Sequence, residues 1–137
     1  MVNKPVYLLD SYAFLTYLNG EVGQIRVQQL LSLSEDKKCC VLMCQINLGE
    51  VLYITERERG LTKAQSVLAL VESLPIGLLD VSYSLVLNAA HIKAHYTISY
   101  ADAFAVAAAI RENAVVITGD PEFEAVKSIV KVEWLGK

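Results

Sequence analysis

Positive charge is in short supply in this chain: 12 Lys and Arg stand against 15 Asp and Glu, a formal net charge of −3 at pH 7. That balance leaves nothing from which to build a broad basic face. Long apolar runs are missing too. The longest runs from Ala103 to Ile110, far below the ~18 residues a membrane-spanning helix needs, although 54% of the residues are hydrophobic and mean hydropathy is +0.39. A soluble protein with unusually apolar faces is expected, with part of that surface covered by a partner, because a small domain has little interior in which to hide it. No cationic, Ser-rich or cleavable leader precedes the first strand, which Met1 enters almost directly, so a cytoplasmic location is expected.

Soft and nitrogenous metal ligands are equally sparse. The three cysteines, Cys39, Cys40 and Cys44, cannot all pair internally. Cys39 and Cys40 run into Val41-Leu42-Met43 as a buried strand would, which reads as structural thiols. A zinc site would require a fourth ligand at suitable spacing. His91 and His95 stand at i, i+4 on an expected helix, without the intervening Glu of a zinc-protease helix or a third ligand nearby.

What the chain does have is alternation between two periods. Val6 to Leu9, Cys40 to Met43, Ile76 to Leu79, Val115 to Ile117 and Ile129 to Trp134 are apolar or β-branched runs of strand length. Helical stretches separate them: Ser11 to Leu18, Val22 to Asp36, Asn47 to Arg59, Thr62 to Leu74, Tyr83 to His95, Tyr100 to Glu112 and a short one from Pro121 to Val126. Strands separated by helices imply βαβ units and a mostly parallel sheet covered on both faces. The 137 residues fit one domain, 1–137, with no linker or repeat. Gly60-Leu61-Thr62 reads as a helix stop followed by a Thr N-cap. The alanines between Ala101 and Ala109 make a slim helix able to lie close to the sheet.

Four acids fall where strands end or helices begin: Asp10, Glu50, Asp102 and Asp120. Loops at the carboxyl ends of parallel strands converge on one crevice, so these residues can meet there. Gathered carboxylates repel one another unless a cation or shared protons neutralise them. Capping explains each one singly. Asn47-x-x-Glu50 and Ser99-x-x-Asp102 match capping boxes, Asp120 before Pro121 is an ordinary N-cap, and Asp10 can cap the helix starting at Ser11. Capping does not require all four to cluster, and an acid held stiffly in a first helical turn keeps an oxygen free for a metal. Magnesium, with its preference for oxygen ligands, suits such a nest far better than the Cys or His residues do.

At Leu8-Leu9-Asp10-Ser11 with Phe14 and Leu15, Asn47-Leu48-Gly49-Glu50-Val51, Ala101-Asp102-Ala103-Phe104-Ala105, Val116-Ile117-Thr118-Gly119-Asp120-Pro121-Glu122-Phe123 and Val132-Glu133-Trp134-Leu135, the chain resembles the PIN domain family, in particular small VapC-like toxins. The resemblance runs end to end. It implies a three-layer α/β/α sandwich with a five-stranded, mostly parallel sheet. It also implies a Mg2+-dependent endoribonuclease that accepts Mn2+, with Asp10, Glu50, Asp102 and Asp120 as catalytic metal ligands. Of these, Asp120 sits at the family's most variable position. Ser11, Asn47 and Thr118 are expected to support the acids from behind. A small antitoxin that presents a basic side chain to the carboxylates is the implied partner.

Setting the four acids aside leaves a net charge of +1, so a metal would supply the positive charge that the protein lacks. Arg57, Arg59 and Lys63, at a helix end and the following turn, are the best candidates for RNA-phosphate contacts. A homodimer is expected from the apolar positions Val51, Leu52 and Ile54 on one helix and Leu68, Leu70 and Val71 on the next. A receiver domain would need adjacent acids after the first strand, but Asp10 has Leu9 and Ser11 beside it, although Asp80 follows the third strand. A phosphatase with an Asp-x-Asp nucleophile would need an acid where Tyr12 stands. The remaining alternative is a non-catalytic module of the same fold that binds a protein partner or RNA.

Overall fold

In the computed structural model, which describes residues 3–136, the alternation resolves into β1 (Val6–Leu9), α1 (Ser11–Asn19), α2 (Gln24–Glu35), β2 (Cys40–Cys44), α3 (Gln45–Arg59), α4 (Leu61–Ser73), β3 (Gly77–Leu79), α5 (Tyr83–His95), α6 (Tyr100–Glu112), β4 (Val115–Thr118), a 3-10 segment (Pro121–Val126) and β5 (Val132–Trp134). The sheet has five strands in the order β3-β2-β1-β4-β5, and every pairing is parallel. The mostly parallel sheet expected from sequence is therefore wholly parallel. Among the described residues, no helix is long and apolar enough to cross a membrane.

Side chains alternate between two cores because successive strand residues face opposite ways. Leu8, Cys44 and Val116 point into the core under α5 and α6, while Leu9, Met43 and Ile117 point into the one under α1, α2, α3 and α4. Burial on both faces explains why β1 reads as an unbroken apolar run. Leu8 and Leu9 are both fully buried. Truncating a side chain of this kind to alanine typically costs about 2–5 kcal/mol. The slim helix forms as expected: Ala103, Ala105, Ala107, Ala108 and Ala109 are all buried, so α6 packs against β1, β2 and β4. It lies over the place where strand order reverses, between β1 and β4.

Some boundaries differ from expectation. α3 begins at Gln45 behind an extended Cys44 that makes no side-chain cap bond, so Asn47 lies inside the first turn and its Nδ2 donates instead to the Ala101 carbonyl at 3.2 Å. Gly60, not Thr62, occupies the cap of α4. The last strand starts at Val132, because Ile129 and Val130 both donate to the Val126 carbonyl in a turn. Cys40 is exposed, whereas Cys39 and Cys44 are buried and burial pushes both of their thiols up. Val51 and Val71 are core residues; of the positions expected to favour a dimer, only Leu52, Ile54, Leu68 and Leu70 keep partial exposure.

Gly60 joins α3 to α4 at φ 92, ψ 165, a region essentially closed to residues with a Cβ. A Cβ there would meet no atom within 4 Å, so space is not the constraint. Gly60→Ala is expected to lower stability by about 1–3 kcal/mol through backbone strain alone, measured by urea unfolding at constant m-value. An unchanged midpoint would show that the junction relaxes freely.

Candidate metal centre

Strand order reverses between β1 and β4, where sheets of this kind usually carry their ligand crevice, at the carboxyl ends of the strands. Asp10 leaves β1 there and caps α1: its Oδ1 accepts from the Ala13 amide at 2.8 Å, and its Oδ2 accepts from the Thr118 hydroxyl at the end of β4. The carboxyl group is only 1% exposed. Thr118 Oγ1 in turn accepts from the Asp120 amide at 3.0 Å, so one hydroxyl ties the first acid to the turn that carries the fourth. Asp120 Oδ1 caps the 3-10 segment by accepting from the Glu122 amide at 2.9 Å, with Pro121 at its first position. Gly119 matters here because a Cβ would come within 2.3 Å of the Tyr12 ring.

Asp102 enters from α6. Ser99 caps that helix as expected, its Oγ accepting from the Asp102 amide at 3.1 Å. The reciprocal half of the capping box is absent: Ser99 N–H donates to Glu122 Oε1 at 3.1 Å instead. Glu50 lies on α3, one turn past Asn47. Neither is a capping pair, and Glu50 Oε1 and Asn47 Oδ1 are buried without a hydrogen-bond partner.

Two of the acids are held above the usual carboxylate range. Burial, with smaller contributions from Asp120 and Glu50, pushes Asp10 up to about 7 against the pull of its Thr118 and Ala13 hydrogen bonds. Burial first, then the charges of Asp10 and Asp120 and a hydrogen bond with the Glu122 carboxyl, pushes Asp102 up to about 8. Glu50 and Asp120 thus act on Asp10, and Asp10 and Asp120 on Asp102. One oxygen each from Asp102, Asp120 and Glu122 also lies within 4.8 Å of the others. Glu122 was not singled out from the sequence; its only signal was its place two residues after Asp120. Among the described residues the ion pairs are Arg26–Glu133, Arg111–Glu112 and Lys127–Glu124, none of them on the four acids. An all-oxygen donor set, two orphaned buried oxygens and no cationic side chain fit a hard divalent ion such as Mg2+ or Mn2+.

The other sequence candidates lie elsewhere. Ser11 is buried beside Asp10 at the start of α1. Arg57, Arg59 and Lys63 belong to the opposite end of α3 and the start of α4. From Glu50 to Arg59 the helix rises about 13 Å at 1.5 Å per residue. Arg57 lies over the Tyr53 ring, and Arg59 donates to Asn19 Oδ1 at 3.3 Å. The His91 and His95 rings stack at 4.5 Å on an exposed helix face. Asp80 bonds to Gln45 at 3.1 Å after edge strand β3, two strands from Asp10, which removes the receiver-type pocket.

A family model for the PIN domain matches residues 7–129. The chain belongs to the PIN domain family. No curated protein sequence matches it. Among solved structures it is similar to VapBC2 from Rickettsia felis bound to a DNA fragment from their promoter, with TM-score 0.75 and 18% identity over 96% of this chain and 99% of that one. The DNA-bound VapBC of Salmonella typhimurium gives TM-score 0.71 and 19% identity over 94% and 97%. Mycobacterium tuberculosis VapC20, a sarcin-ricin loop cleaving toxin, gives 0.69 and 18% over 88% and 94%. At these identities the likeness establishes the shared α/β fold.

The raised acids give a pH signature. An acid whose folded pKa lies above its unfolded value keeps its proton where the unfolded chain has released it. Metal-free stability therefore falls as pH rises from about 4 through about 7 to 8, and the loss is complete above that. Asp102→Asn removes one such group. In chelator, its melting temperature relative to the native protein should rise between pH 5 and pH 8; a pH-independent difference would contradict the pocket's electrostatics.

Proposed function

We propose that this PIN domain, spanning residues 1–137, is a metal-dependent endoribonuclease that hydrolyses RNA phosphodiester bonds as the toxin of a type II toxin–antitoxin pair in the cytoplasm. The observation that carries the reading is a set of acids at the sheet's switch point, Asp10 and Asp102 buried, with no ion pair to any of the four among the described residues. Family membership and the fold shared with VapBC toxins support it. Asp10, Glu50 and Asp102 would hold Mg2+, or Mn2+ in its place, with Asp120 the outermost member of the set. When bound, the ion supplies charge neutralisation at the phosphate and makes water easier to deprotonate.

The chain's own residues do the rest. Thr118 and the Ala13 amide clamp both oxygens of Asp10, which fixes its orientation before substrate arrives. Glu50 Oε1, buried and unpartnered, is the oxygen left over for the ion. Asn47 ties the first turn of α3 to the carbonyl preceding Asp102 and so sets the Glu50–Asp102 spacing. Arg57, Arg59 and Lys63 sit too far away to touch the scissile phosphate and serve flanking phosphates of a strand several nucleotides long.

The test is cleavage of a mixed RNA pool by purified protein with Mg2+ or Mn2+. Asp10→Asn, Glu50→Gln and Asp102→Asn should each abolish it, and Asp120→Asn should give the mildest loss. Magnesium should raise the native melting temperature, less so in each variant, by mass action on the folded state. Undiminished cleavage in all four, with melting indifferent to magnesium, would sink the reading. A fold-competent protein without cleavage but with retained RNA or protein binding would instead favour the non-catalytic module.

Two partners accompany this proposal. A second copy would cover Leu52, Ile54, Leu68 and Leu70, and a small antitoxin would present a basic side chain to the carboxylates in place of metal. Sedimentation at micromolar concentration should give a dimer, and purification from the native host should recover a small protein that chelator does not release. A strict monomer and an empty pulldown would remove the dimer and the toxin assignment respectively.

A further inference from the structure

A helix that starts with Ser-x-x-acid ordinarily closes its own capping box, the acid reaching back to the cap residue's N–H. α6 does not. Asp102 is one methylene shorter than the Glu that best fits that position, and the Ser99 N–H is taken by Glu122 Oε1 from 23 residues downstream. Glu122 is in turn held by its own amide on Asp120 Oδ1. A continuous chain of hydrogen bonds results: Asp10 to Thr118, Thr118 to the Asp120 amide, Asp120 to the Glu122 amide, Glu122 to the Ser99 amide, and Ser99 Oγ to the Asp102 amide.

From this geometry we infer that Glu122 is a positioning residue that closes the α6 cap in place of Asp102 and so frees the Asp102 carboxylate for the metal. The inference rests on the metal-dependent reading above. Among the described residues, Glu122 is the side chain that joins the turn carrying Asp120 to the helix start carrying Asp102, through the Ser99 N–H and through its contact with the Asp102 carboxyl. Without it, Asp102 is the nearest acceptor for the orphaned Ser99 N–H and is drawn away from the pocket. The role needs an acceptor oxygen and not a charge, so an amide serves as well as a carboxylate.

The experiment is Mn2+ binding to the full-length protein by calorimetry, without RNA, for the native chain, Glu122→Gln, Glu122→Ala and Asp102→Asn. Glu122→Gln should retain most of the affinity, while Glu122→Ala should lose about tenfold, the usual scale for removing a residue that orients a ligand. Amide hydrogen exchange at Ser99 should be slow in the native protein and in the Gln variant, and fast in the Ala variant. Because Glu122 is exposed, the variants are expected to fold, and the isosteric Gln decides the matter even if Ala does not. Equal losses in Gln and Ala would make Glu122 a direct ligand and overturn the positioning role. Native affinity in the Ala variant would overturn the inference alone. A native chain that takes up no Mn2+ would overturn the metal reading and this inference together.

Discussion

Negative charge forced out of water governs this structure. Asp10 is buried at the end of the central strand, among the described residues no cationic side chain pairs with it, and the charges that act on it are those of Asp120 and Glu50. Such a group is costly unless it is protonated, hydrogen-bonded or bound to a cation. The protein uses the first two: burial raises Asp10 and Asp102, and Thr118 supplies a hydroxyl that bridges Asp10 to the Asp120 turn. A divalent ion would provide the third.

Topology makes that arrangement possible at little cost in chain length. Strand order runs outward from β1 through β2 to β3 and then returns past β1 to β4 and β5. Asp10 and Thr118 become neighbours across the reversal although 108 residues separate them. α6 packs on β1, β2 and β4 through a buried side that is mostly alanine, Phe104 and Val106 apart, and Asp102 in its first turn comes close enough to feel the charge of Asp10. Fold stability and site geometry therefore draw on the same residues.

Local signals were legible in the sequence and tertiary ones were not. α6 begins where Ser99 announces it, since that serine makes its cap bond within three residues. Asp10, Asp102 and Asp120 stand where a strand ends or a helix begins, as read from the sequence, whereas Glu50 lies in the second turn of α3. The start of α3 was misplaced because Cys44 caps without a side-chain bond, and the Asn47 amide that looked like a cap bonds to another helix. Glu122 escaped notice for the same reason: its partner Ser99 is remote in sequence. Cys40 looked buried by composition, but it sits at the rim where β2 begins, and strand apolarity there says nothing of depth.

The central claim is that these acids form one cation site. The most direct measurement is an anomalous difference map from crystals soaked in Mn2+ near neutral pH. The account requires a peak in the crevice between β1 and β4, bounded by carboxylate oxygens of Asp10, Glu50 and Asp102. A well-diffracting, Mn2+-saturated crystal with no peak there, or with its strongest peak on carboxylates elsewhere, would contradict it.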